Sequence, residues 1–332
     1  IDMDDELKNR YEEITNIIRT RAIEGTVSTN NASRTAIKGM ITYLDMMLDQ
    51  PFGLDDIVNM DGQVVIESKE LDNKKIRNKE QYLIDLCKRK KEAKEKILIY
   101  VHWTGKTCIQ ERLKKILGDN EIKAEIMTDK IKMADRQTWV NNKSKDVDAI
   151  IVNPRLVDVG LNLLPYTTIV FYEIGNQLSV IRQSSKRSWR INQTHPVEVY
   201  FMYYKNTVQE QLLGAISQKL KAATAIEGNF SAEGLSSVSG DTDMMNMIAS
   251  SIVNNESIEI ENDGFESIGS VSAGEARKLR AESCIKLGLR DGFEYGTVNM
   301  MYGTNNTKTK KKRSAKQEKI TIDLYDTLSA VI

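Results

Sequence analysis

Histidine and cysteine are scarce in this chain of 332 residues. The two histidines, His102 and His195, are too few for a multi-histidine metal site, so no metal site is expected. Three cysteines, Cys87, Cys108 and Cys284, are far apart and odd in number. They form neither a zinc spacing nor a disulfide framework, and a reduced, cytoplasmic setting is the simplest expectation. Net charge is also missing, with 47 basic residues set against 47 acidic ones. A nucleic-acid binder of this size is often basic, so any such role must rest on a local patch. No apolar run approaches a membrane span, and no signal peptide is visible. The chain begins at Ile1 rather than Met, which favours an excised fragment.

What is present is globular. Hydrophobic residues make up 40% of the chain, enough for one or two domains with real cores. Residues 4–24 carry apolar side chains at helical spacing. Ser33 is a candidate N-cap for a second helix through Leu48, which Pro51 and Gly53 then break. Gly62–Ile66 reads as a short strand and Lys79–Lys96 as a charged helix with Tyr82, Leu83, Leu86 and Cys87 facing inward. From Lys96 onward strands alternate with helices: 97–101, 107–117, 123–127, 135–141, 149–152 and 168–172. Such alternation predicts an α/β fold, a parallel sheet covered by helices on both faces. Ligands bind such sheets beyond the carboxyl ends of the strands, so the loops at 102–106, 153–162 and 173–179 should collect function. After Ala225 the texture turns rich in Gly and Ser. Short helices are expected at Met244–Val253 and Ser272–Leu287, and a basic tail at Gly303–Lys319.

Two motifs carry chemistry. The first, WTGKT at Trp103–Thr107, looks like the end of a phosphate-cradling P-loop. That motif needs a glycine five residues before the Gly-Lys pair, and Tyr100 stands there. No acidic Walker-B-type motif follows an apolar strand either. The second is QSSKRSWRINQTHPV, Gln183 to Val197. Steps of four and three would put Gln183, Arg187 and Arg190 on one helix face. Two exposed arginines so placed repel each other unless an anion lies between them, and the guanidinium fork matches phosphate oxygens. A solvated helix with two arginines is the plain alternative.

The loop VGLNL, the run Q-x-x-x-R-x-x-R, the following INQTHPV and the later NTVQEQLL, in that order, resemble the C-terminal lobe of superfamily II helicase-like ATPases of the Swi/Snf branch. The likeness is good over residues 95–225 and loose before them. It implies a RecA-like lobe at 95–227, a helical region at 1–94 that joins two motor lobes, and a less ordered C-terminal extension at 228–332. It also implies ATP and Mg²⁺ as cofactors, bound against an N-terminal lobe that lies elsewhere in a parent chain or in a partner. Arg187 and Arg190 would be arginine fingers at the γ-phosphate and Gln183 would orient them. Gly160 would give close backbone approach, and Asn162 would stand where related motors contact ribose. His102, Trp103, Thr104, Lys106 and Arg155 would meet double-stranded DNA. The loop from Asn153 to Asp158 departs from the family, because Pro154 offers no N–H and Asp158 replaces a glycine.

The expected function is the motor lobe of a DNA-dependent ATPase or translocase, inactive alone, in a bacterial or phage-like setting and not at a membrane. A noncatalytic interaction module derived from such a lobe is one alternative, and an RNA helicase lobe is another. The Q-T run followed by Pro-Val favours the DNA-translocase branch.

Overall fold

The computed structural model describes residues 1–26, 31–59, 61–103, 105, 108–157, 160–185, 187–188, 193, 195–227, 241–254 and 256–260. Of the linker expected at 228–243, residues 228–240 lie outside the described residues, as do the helix expected at 272–287 and the basic tail, whereas 241–243 belong to a helix.

Helix α1, Asp5–Thr26, places Leu7, Tyr11, Ile14 and Ile18 on one buried face. Helix α2, Asn31–Asp49, packs on it and buries Met40, Ile41, Leu44, Met47 and Leu48. These steps of three, four and seven are the helical stripe legible in the sequence. A short antiparallel pair, β1 at Ile57–Val58 and β2 at Val64–Ile66, follows.

Helix α3, Asn78–Glu92, opens the α/β region. It buries Leu83, Ile84, Leu86 and Cys87, whereas Tyr82 faces solvent, contrary to expectation. The succession continues with β3 (Lys96–Tyr100), α4 (Gln110–Asp119), β4 (Ala124–Met127), α5 (Arg136–Asp146), β5 (Ala149–Val152), β6 (Tyr166–Phe171), α6 (Leu178–Ser185), β7 (Glu198–Phe201) and α7 (Val208–Glu227). The five strands β3–β7 form one sheet in the order β4-β5-β3-β6-β7, and every neighbouring pair is parallel.

Period-two alternation divides each central strand between two cores. Leu98, Tyr100, Ile150, Val152, Ile169 and Phe171 join one cluster with residues of α1, α2 and α7. Ile97, Ile99, Ala149, Ile151 and Val170 join the other with residues of α3 and α4. Burial on both faces explains why these strands read as continuous apolar runs. Each fully buried Leu, Ile or Val is worth roughly 1.5–3 kcal/mol.

Helix α8, Asp241–Asn254, matches the helix expected at 244–253 and packs against α7, α1 and α2. Arg19 Nε donates to the Ile252 carbonyl at 3.0 Å, and the Ile258 amide donates to Gln211 Oε1 at 2.7 Å. No helix among the described residues is long and apolar enough to cross a membrane.

Candidate nucleotide and nucleic-acid interface

Strand β3 leads through α4 toward β4 on one side of the sheet, and β6 leads through α6 toward β7 on the other. The two strands are neighbours, so their diverging connections open a crevice at their carboxyl ends. Glu173, two residues past β6, lies buried in it. Its Oε2 accepts the backbone N–H groups of His102 at 2.6 Å and Trp103 at 2.8 Å. The Asn153 amide donates to the His102 carbonyl at 2.8 Å, and its oxygen accepts the Arg155 N–H at 3.0 Å. The loops after β3, β5 and β6 are thus tied to one another through side chains on backbone.

His102 packs over Gly175 so closely that a Cβ there would stand 2.7 Å from Nδ1. Its ring meets that of Trp103 edge-on at 4.7 Å. Burial and then the nearby Arg155 charge hold its pKa below the ordinary histidine value, which favours the neutral imidazole. Arg155 itself is exposed on a 3-10 turn, Pro154–Leu156. Thr104 and Lys106 lie outside the described residues.

The expected helix bearing Gln183, Arg187 and Arg190 is corrected. Helix α6 ends at Ser185, with Gln183 half-buried on it and Arg187 in a bend beyond it. Arg190 lies outside the described residues. The hydroxyl of Ser184 donates to the Val180 carbonyl at 2.6 Å and that of Ser185 to the Ile181 carbonyl at 2.7 Å. Such back-bonding competes with the helical ladder. The Arg187 amide then donates to Ser184, three residues back, at 3.3 Å, which turns the chain out of the α register.

The turn brings this segment to the VGLNL loop, where the Leu163 amide donates to the Arg187 carbonyl at 3.4 Å. Gln193 Nε2 donates to the carbonyls of Leu164 and Ser188, both at 2.9 Å, and secures the same junction. Gly160 has φ +69°, a left-handed conformation that suits glycine. Asn162 is exposed, and its side-chain oxygen accepts the Leu164 N–H at 3.1 Å, the pattern of an Asx turn. Arg136 donates to the carbonyls of Ile131 at 3.2 Å and Leu156 at 2.9 Å, so it braces loops.

Behind the crevice lies a buried charge cluster that no sequence pattern announced. The Lys79 ammonium, fully buried, donates to Asp49 Oδ1 at 2.6 Å and Gln209 Oε1 at 3.1 Å. It also lies 4.9 Å from the Tyr172 ring centroid and 5.7 Å from that of Tyr204. Burial pushes the carboxyls of Asp49 and Glu173 above their ordinary values. Burial and the Asp49 charge push Asp45 up to about 7. A cavity is lined by Thr42, Asp45, His102, Trp103, Asn176 and Leu212. Among the described residues no group of three or more His, Cys, Asp or Glu could hold a metal ion.

Known proteins resemble this chain in sequence and in fold. The conserved profile described as the helicase conserved C-terminal domain matches residues 78–192. "Protein CHROMATIN REMODELING 19" of Arabidopsis thaliana is 28% identical over 146 residues, covering 43% of this chain and 19% of that protein. "Helicase SWR1" of Mycosarcoma maydis is 28% identical over 167 residues, covering 50% of this chain and 9% of its own length. The chain therefore spans about a fifth or less of these curated relatives. In structure, the C-terminal part of the Fun30 ATPase domain aligns with a TM-score of 0.53 at 14% identity, covering 76% of this chain and 96% of that one. That likeness concerns the fold, and it bears out the RecA-like α/β lobe. A further relative, 27% identical over 162 residues and covering 47% of this chain and 16% of that protein, is "SWI/SNF-related matrix-associated actin-dependent regulator of chromatin subfamily A-like protein 1" of Xenopus laevis.

One expectation falls here. The cytoplasmic, bacterial or phage-like setting expected from the cysteines and the resemblance is contradicted, because the first two relatives belong to a plant and a fungus and the plant one bears the name of a chromatin remodelling protein. Cysteine usage reports redox state, and that does not separate these settings.

Proposed function

We propose that this chain supplies the C-terminal motor lobe of a DNA-dependent ATPase that translocates on duplex DNA. ATP lies between this lobe and an N-terminal lobe that carries the P-loop and the magnesium ligands. Arg187 and Arg190 reach the γ-phosphate as arginine fingers, and Gln183 orients them. The backbone at Gly160 approaches the nucleotide, and Asn162 contacts the ribose. Duplex DNA passes the loops that hold His102, Trp103, Thr104, Lys106 and Arg155. The bond between the Leu163 amide and the Arg187 carbonyl carries this reading. It joins the VGLNL loop to the arginine segment at one edge of the crevice, so both can face one nucleotide.

The chain alone does not turn over ATP, because it lacks groups for the β-phosphate. The test is steady-state ATP hydrolysis by the chain joined to its N-terminal lobe. Arg187→Ala and Arg190→Ala should each lower kcat by about 10³–10⁵, with a smaller effect on ATP affinity. A loss under about threefold in both variants reduces the segment to scaffold, since a finger is worth far more than that.

A further inference from the structure

We infer that Glu173 is a positioning residue that sets the nucleic-acid-facing loop after β3 by accepting two of its backbone amides. The inference rests on the proposed duplex-DNA interface at that loop.

Glu173 is 2% exposed and lies at the topological switch between β3 and β6. Both amides that it accepts belong to consecutive residues, His102 and Trp103. Consecutive N–H groups do not point at one oxygen in an extended strand, where they face opposite sides. A single acceptor for both bends the chain away from the β3 direction at that point. The bend turns His102 across Gly175, where a Cβ would stand 2.7 Å from the ring, and Trp103 toward the cavity edge. Asn153 fixes the opposite side of the same loop by donating to the His102 carbonyl. Two donors on one buried oxygen leave the loop little freedom, because releasing either one strands a buried N–H.

Burial, and after it the Asp49 charge, hold the Glu173 carboxyl well above its ordinary value, and the two accepted amides and Lys79 pull against them. A plain packing role would be served by an apolar side chain of the same length. The role argued here needs an acceptor oxygen and does not need the charge. Two substitutions separate these: Glu173→Gln keeps an acceptor and removes the charge, and Glu173→Met removes both.

The experiment measures two quantities on the full chain at low salt. One is amide hydrogen exchange at His102 and Trp103, with the β3 amides as the control for folding. The other is affinity for a blunt DNA duplex by fluorescence anisotropy. Glu173→Met should speed exchange at the two amides and weaken duplex binding, each by about tenfold, with β3 protection intact. Glu173→Gln should stay within about twofold of the unaltered chain in both. If Glu173→Met does not fold, Glu173→Ala takes its place, since the smaller side chain leaves room for relaxation. Unchanged exchange in the variant without an acceptor overturns the inference, and so does equal loss in both variants. If the unaltered chain binds duplex and Glu173→Met binds it equally well, the inference fails alone. If the unaltered chain does not bind duplex at all, the interface reading fails and takes the inference with it.

Discussion

Lys79 stands in the first turn of α3 with its ammonium fully buried against Asp49 and Gln209. Removing one partner of a buried pair leaves an uncompensated charge, at a cost of about 3–5 kcal/mol. Lys79→Met should therefore lower unfolding stability by about that amount at pH 8. The loss should be smaller at pH 5, because the Asp49 carboxyl, already raised by burial, then takes up a proton. A urea midpoint unchanged at both pH values would contradict the pairing. Asp45, half-buried beside this pair, gives the sign of a second effect. Its pKa, raised to about 7, means that the folded state holds its proton more tightly than the unfolded one. Its contribution is fully present near pH 4 and is lost as pH rises through about 7. Asp45→Asn should match the unaltered chain only below about pH 4, draw ahead as pH rises through about 7, and exceed it at pH 8 by on the order of 1–2 kcal/mol, allowing for solvent screening. Reading the difference between the two proteins removes His102, whose lowered pKa works in the opposite direction. None of this was legible in the sequence. Lys79 begins a charge-dense segment, and such runs normally mark a solvated face. Only the tertiary meeting of α2, α3 and α7 makes it a core residue.

At the scale of elements, the α/β succession was readable because strands buried on both faces must be apolar throughout. The strand expected at 149–152 appears there, and that expected at 97–101 appears one residue earlier, at 96–100. The end of α6 was not readable. A spacing of four and three assumes a continuing helix, and Ser184 and Ser185 turn their hydroxyls back onto it instead. Glu173 and Gly175 were also missed, since neither belongs to a motif and both act through the loop of another strand. Gly175→Ala tests that packing directly. The added Cβ would meet His102 Nδ1 at 2.7 Å and Cε1 at 3.1 Å, so the ring must move. Duplex affinity should fall about tenfold, or about 1.4 kcal/mol, while far-UV circular dichroism is unchanged. Equal affinity would show that the His102 ring has no part in the interface.

On the scale of the whole molecule, helices α1, α2, α7 and α8 form a roof over one face of the sheet. The segment at 256–260 closes over α7 at Gly214, where a Cβ would stand 2.5 Å from the Ile258 carbonyl. Gly214→Ala should push that segment away and speed proteolytic cutting there, while the sheet core stays resistant. Unaltered cutting would show that the approach tolerates a methyl group.

Movement along duplex DNA by the joined lobes is the central claim, and displacement of a third strand from a triplex tests it most directly. The chain with its N-terminal lobe should release the third strand in an ATP-dependent manner and leave the two duplex strands paired. Arg187→Ala should abolish release, because the step depends on hydrolysis. ATP turnover without third-strand release, or release that survives Arg187→Ala, would contradict the account.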